Sequence, residues 1–165
     1  MRLHRLTREQ WVAAPIERVW PFFASPANLD ALTPPDMRFR ITSEPEAAMT
    51  AGQIITYRIR LAPGVTTGWV TEITHIEEGR MFVDEQRAGP YRFWHHRHGF
   101  EERGGGVVVS DEVHYALPLG PIGELVHALD VRRRLIRIFD YRAVALERHF
   151  AQRAVTGEPS PVPVG

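Results

Sequence analysis

Between Arg38 and Leu117 turn signals recur roughly every ten residues, and that rhythm restricts the fold more than any other feature of the chain. Glu44-Pro45-Glu46, Pro63-Gly64, Glu78-Gly79, Gly89-Pro90 and Gly104-Gly105-Gly106 punctuate stretches rich in β-branched and aromatic residues. The strands expected between them are 37–43, 52–61, 66–76, 80–87, 91–102 and 107–117. Residues 2–12 add an earlier strand, ending near Trp11-Val12. Nothing reads as a βαβ unit, so an antiparallel sheet of six to seven strands follows.

Helices flank this meander. Pro15 suits a first helical position, where its missing N–H would be unpaired anyway. Val19, Trp20, Phe22 and Phe23 line one side of a short helix that Pro21 weakens or kinks, because it cannot donate back to Glu17. A second short helix is expected from Ser25 or Pro26 to Leu32, with Ser25 as a cap and Thr33-Pro34-Pro35 as the stop. After Pro118-Leu119-Gly120-Pro121, helical periodicity runs to about Gln152. Ile122, Leu125, Val126 and Leu129 form one stripe, and Leu135, Ile136, Phe139, Leu146 and Phe150 form another. A straight helix of ~30 residues would be about 45 Å long. A break is therefore expected near Asp130, which could cap the second segment. A single domain over residues 1–152 and a disordered tail over 153–165 complete the plan.

Alternation along the strands selects the inward side chains. Ile55, Tyr57, Ile59 and Leu61 share a face. So do Trp94, His96, His98 and Phe100, which set two imidazoles between two large aromatics. Val107, Val109, Val113, Tyr115 and Leu117 share another face with one intruder, Asp111. If the hairpin folds about the middle of the glycine turn, His98 faces Asp111, Trp94 faces Tyr115 and His96 faces Val113. Cross-strand partners lie on one face, so the two inward sets agree. A one-residue slip would destroy that agreement. For 80–87 the pattern leaves two faces open, Phe82, Asp84 and Gln86 or Met81, Val83 and Glu85.

A carboxylate on an apolar face is costly unless it is paired and hydrogen-bonded. Three roles are open to Asp111 with His96 and His98: a structural tie, a polar group that orients a cavity ligand, or an acid/base pair that moves protons near pH 7. A metal held by the two histidines with Asp111 as third ligand is a further possibility, since catalytic metal sites usually have three protein ligands. A fourth clear ligand is lacking, so neither a metal nor another cofactor is assigned. Tyr57, Trp94 and Tyr115 are expected to face the cavity. Arg132, Arg133, Arg134 and Arg137 read as a solvated helix face. The glycine turn is no phosphate loop, because it joins two strands and lacks the Lys-Ser/Thr ending.

Composition excludes several classes. With no cysteine there is neither disulfide nor thiolate chemistry. Lys+Arg and Asp+Glu both number 20, so no global field draws nucleic acid or anionic membrane. No stretch approaches the ~20 apolar residues of a membrane span. A cytoplasmic monomer or homodimer is expected.

Several stretches carry a family likeness. They are Ala27-Asn28-Leu29 with Leu32-Thr33-Pro34-Pro35, Phe82-Val83-Asp84-Glu85-Gln86, Gly89-Pro90-Tyr91 and Trp94-x-His96-x-His98-x-Phe100. Asp111-Glu112-Val113-x-Tyr115-x-Leu117-Pro118 and Phe139-Asp140-Tyr141-Arg142 extend the set. Over roughly residues 3–150 the chain resembles bacterial ligand-binding proteins of the START/Bet v 1-like (SRPBCC) superfamily. The resemblance implies an α+β helix-grip fold, in which a curved sheet, two short helices and a long C-terminal helix enclose a cavity. It also implies that Asp84 and Gln86 face inward. The expected ligand contacts are Tyr57, Asp84, Gln86, Trp94, His96, His98, Asp111, Tyr115 and Phe139. The function expected is binding of a hydrophobic or aromatic small molecule. The alternatives are a polyketide cyclase/dehydratase-like enzyme using His98 and Asp111, and a non-catalytic regulatory module. The superfamily includes lipid carriers, hormone receptors and cyclases, so the shared fold does not choose among them.

Overall fold

The computed structural model describes residues 2–44, 48–62, 64–126 and 130–156. Strand β1 (His4–Val12) leads into helix α1 (Ile16–Phe23). Two 3₁₀ turns, Pro26–Leu29 and Pro35–Met37, precede the short β2 (Arg40–Ile41). Five longer strands follow: β3 (Ile54–Ala62), β4 (Val65–Glu77), β5 (Met81–Ala88), β6 (Phe93–Arg103) and β7 (Gly106–Ala116). Helices α2 (Gly120–Val126) and α3 (Arg132–Thr156) close the chain. One seven-stranded sheet runs β1-β7-β6-β5-β4-β3-β2, every neighbour antiparallel. The curved sheet and long C-terminal helix make this a helix-grip fold.

The β6–β7 register is the one the facing patterns required. His98 pairs with Asp111, Trp94 with Tyr115 and His96 with Val113. The turn contains two residues, Gly104 and Gly105, both at positive φ, as tight hairpins favour. Gly106 already belongs to β7 and has a different task. A Cβ there would stand 2.4 Å from the Val12 carbonyl oxygen and 2.7 Å from the Trp11 ring. Trp11 lies across this corner, its indole N–H donating to the Arg103 carbonyl at 3.0 Å. In β4–β5 the register shifts twice, between Val70 and Thr71 and between Ile73 and His75. Such bulges bend the strand pair.

Several expectations need correction. Helix α1 starts at Ile16, one residue after Pro15, and continues through Pro21 to Phe23. The second short helix shrinks to Pro26–Leu29, and Ser25 makes no side-chain cap. Asn28 Nδ2 instead donates to the Phe22 carbonyl at 2.9 Å, which satisfies the end of α1. The 37–43 strand is only Arg40–Ile41. The break expected near Asp130 falls on residues 127–129, and so Leu129, outside the described residues; Asp130 and Val131 themselves form a π turn that leads straight into α3. Asp130 pairs with Arg134 one turn on rather than capping. Ile122 is 65% exposed, because the short α2 sits at a cavity rim instead of over a core. The tail expected from 153 onward starts later, because α3 continues to Thr156, and residues 157–165 fall outside the described residues.

Buried apolar side chains form two clusters. One joins Val19, Phe22 and Phe23 of α1 to Phe82, Phe100, Val107, Val109, Leu146 and Phe150. The other joins Val113 and Tyr115 to Leu135 and Phe139. Strands β6 and β7 and helix α3 contribute to both, and each passes from one cluster to the other across a polar residue. On β6 it is His96 and His98 between Trp94 and Phe100. On β7 it is Asp111 between Val109 and Val113. On α3 it is Arg142 between Phe139 and Leu146.

Candidate functional site

The polar residues at that level meet. Three adjacent strands and one helix supply them: Asp84 from β5, His96 and His98 from β6, Asp111 from β7 and Arg142 from α3. His96, His98 and Asp111 are 4%, 5% and 7% exposed. The i, i+2 spacing on β6 stacks the two imidazoles at 3.7 Å between ring centroids. Phe82 stacks on His98 at 4.0 Å, and Phe139 meets His96 edge-on at 5.7 Å.

Each imidazole spans two carboxylates. His96 Nε2–H donates to Asp111 Oδ1 at 2.8 Å, and its Nδ1 lies 3.3 Å from Asp84 Oδ2. His98 Nε2–H donates to Asp84 Oδ2 at 2.9 Å. His98 Nδ1 lies 3.0 Å from Asp111 Oδ1, out of hydrogen-bonding alignment. Arg142 Nη1 donates to Asp111 Oδ1 at 3.1 Å, and the guanidinium sits 5.0 Å from the centre of the Phe139 ring. Trp94 Nε1 donates to the other Asp84 oxygen, Oδ1, at 3.3 Å.

The electrostatics follow from this packing. Burial pushes the Asp84 carboxyl up, but His96 and then His98 outweigh it and hold the group far below the carboxylate range. Burial acts on Asp111 in the same way, and the Arg142 charge with the two histidine contacts overrides it. For His96 burial opposes the charged form, yet the Asp84 charge and the hydrogen bonds to both carboxylates raise its proton affinity. Both carboxylates are thus ionised, and His96 is held toward its charged form.

Above the cluster a cavity of about 810 Å³ lies between the sheet and α3. Tyr57, Asp84, Trp94, His96, His98 and Phe139 all line it, as does Arg142. Asp111 is not in the wall; it stands behind the histidines. Gln86 is not in the wall either. Its amide donates to the Tyr91 carbonyl at 2.6 Å and accepts from the Tyr91 N–H at 3.2 Å, so it clamps the Gly89-Pro90 turn. Tyr115 is 2% exposed and packs against Tyr91 and Trp94 beside the cavity. Tyr57 reaches Thr71 Oγ1 at 3.1 Å and stacks on Trp69. Arg133, Arg134 and Arg137 border the opening, where Arg137 pairs with Asp36 at 2.8 Å.

Arg142 is the member of the site that strand patterns could not supply. Its signal was on the helix: positions 139, 142, 146 and 150 continue one inward stripe. Asp84 was ambiguous because Val83, on the alternate face, is as buried as Phe82, each at 4%.

No family model matches the chain, and no curated protein sequence matches it significantly. Solved structures do. Protein Ms6760 from Mycobacterium smegmatis superposes with a TM-score of 0.66 at 18% identity, covering 90% of this chain and 91% of that one. Protein CV1439 from Chromobacterium violaceum gives 0.67 at 14% identity, over 88% and 96%. Ara h 8.0201 gives 0.58 at 16% identity, over 88% and 98%. At these identities the likeness is one of fold, and the fold is Bet v 1-like. No helix among the described residues is long and apolar enough to cross a membrane.

Proposed function

We propose that this chain binds a small, mainly hydrophobic or aromatic molecule carrying one polar group, held between the sheet and α3. The observation that carries the reading is the composition of the cavity wall. Apolar side chains dominate it, with aromatic rings such as Tyr57, Trp69 and Trp94 among them, and one buried polar cluster opens into it through Asp84, His96, His98 and Arg142. Ligand sites generally combine a concave apolar wall with a few convergent polar groups in this way. The resemblance to the SRPBCC superfamily points in the same direction.

The test is a titration with anilinonaphthalene sulfonate, read by its fluorescence and by quenching of tryptophan, alongside native mass spectrometry of the purified protein. One saturable site is expected. Ile59→Trp, which fills the cavity, should abolish it while near-ultraviolet circular dichroism stays native. Absence of saturable binding, or binding indifferent to the filled cavity, overturns the reading.

A proton-transfer reading, of the cyclase/dehydratase kind, has one observation in its favour. His98 and Asp111 lie on the same face, and imidazoles held by carboxylates move protons near neutral pH. Conversion of an aromatic polyketone by the protein, lost in His98→Gln, would select it over simple binding.

A further inference from the structure

We propose that Asp84, His96 and His98 form a site for one divalent transition-metal ion at the floor of the cavity. The inference stands on side-chain geometry alone and is independent of any organic guest. One ligand atom from each residue lies within 4.8 Å of the others. Asp84 Oδ2 is 2.9 Å from His98 Nε2 and 3.3 Å from His96 Nδ1. A cation held at ~2.1 Å by two such atoms sets them about 3.0 Å apart at a right angle and about 3.4 Å apart at a tetrahedral one. The two observed spacings lie within about 0.1 Å of that range, and the two ring nitrogens lie within 4.8 Å of each other, so they have only to draw together around the ion.

The surroundings of the three ligands have the form a metal centre requires. A ligating histidine commonly donates its other ring N–H to a carboxylate, which fixes the tautomer and the ring orientation. Asp111 Oδ1 stands at the far nitrogen of both rings, 2.8 Å from His96 Nε2 and 3.0 Å from His98 Nδ1. His98 has to carry its proton on Nδ1 instead of Nε2 and to turn its ring enough to aim that N–H at Asp111, since Nδ1 is 3.0 Å away but out of alignment. Trp94 engages Asp84 through Oδ1, which leaves Oδ2 for the ion. Arg142 balances the charge of Asp111 from behind.

The ligand set, two imidazoles and one carboxylate, suits Zn²⁺, Fe²⁺ or Co²⁺ rather than Mg²⁺ or Ca²⁺. Because all three residues line the cavity, the remaining coordination positions face it. Three protein ligands with open positions mark a reactive rather than a structural centre. Asp111, the third ligand considered from the sequence, lies on the far side of the rings and acts as their support.

Full-length protein, stripped with a chelator, would be titrated with Co²⁺ and followed by visible absorption. The expected result is one equivalent per chain, with the d–d bands of nitrogen and oxygen coordination below six ligands. His98→Gln and Asp84→Asn should abolish these bands, and Asp111→Asn should weaken binding about 10- to 100-fold, as loss of a supporting carboxylate does. His95→Gln and His114→Gln, which lie outside the site, should leave the titration unchanged. Far-ultraviolet circular dichroism checks that each variant is folded; if His98→Gln is not, Asp84→Asn, nearly equal in volume, decides alone. No saturable band in the parent chain, or an unchanged titration in a folded Asp84→Asn or His98→Gln variant, overturns the proposal.

Discussion

Asp111 and Arg142 face each other with side chains only 9% and 13% exposed. Removing one partner of such a pair leaves the other charge buried without compensation, which costs about 3–5 kcal/mol. Asp111→Ala should therefore lower the unfolding free energy by about that amount in urea denaturation. Asp111→Leu combined with Arg142→Met should recover most of the loss, since an apolar pair of similar volume replaces the ions. The tyrosines offer a pH test at the same scale. Burial, then the nearby Asp84 charge, raises the Tyr57 phenol far above its ordinary value of 10.0, and burial raises Tyr91 likewise. A raised folded-state value means the fold favours the neutral phenol. The resulting stability is complete below pH 10.0 and is lost as pH rises beyond it, because the unfolded chain then ionises first. Absorbance titration at alkaline pH should show these two phenols ionising only as the chain unfolds. Tyr57 sits on a strand whose inward face was predictable, but the charge beside it comes from another strand, and the inward turn of Tyr91 runs against the alternation of its own stretch.

The β6–β7 hairpin is the element on which the site depends. Its register brings His98 opposite Asp111, and a slip of one residue would turn one of them out of the cluster. The three glycines divide the work. Gly104 and Gly105 form the turn at φ of 62° and 76°, while Gly106 lets β1 and Trp11 close over the start of β7. Gly104→Asn should be tolerated, because Asn-Gly suits a two-residue turn of this kind. Gly106→Ala should destabilise the chain by roughly 1–3 kcal/mol, as overpacking does, since its Cβ meets backbone that cannot move aside. Thermal unfolding of the two variants side by side makes the comparison. Strand alternation made this hairpin readable in advance; the separate role of the third glycine depends on β1, far away in sequence, crossing beside it.

At the scale of the molecule, α3 closes the sheet. It contributes Leu135 and Phe139 to one apolar cluster and Leu146 and Phe150 to the other, with Arg142 between. Leu146 is 1% exposed, and Leu146→Ala should cost about 2–5 kcal/mol. Val144→Ala, at a position 45% exposed on the same helix, should stay within about 0.5 kcal/mol of the parent. Denaturant midpoints of the two variants measure how far the closure depends on the inward stripe. The antiparallel meander, the inward faces of β3, β6 and β7 and the hairpin register were all legible in the chain itself. Those features depend on period, turn chemistry and nearest-neighbour pairing, which are local in sequence. The chain could not tell which face of β5 turns inward, because Phe82 and Val83 are buried alike, or that Gln86 clamps a turn. Nor could it show that Asp84 rather than Asp111 completes a convergent triad with the two histidines, or that Arg142 reaches Asp111 from the helix. Those contacts join residues on four separate elements, and only the curvature of the sheet and the seating of α3 decide which of their atoms meet.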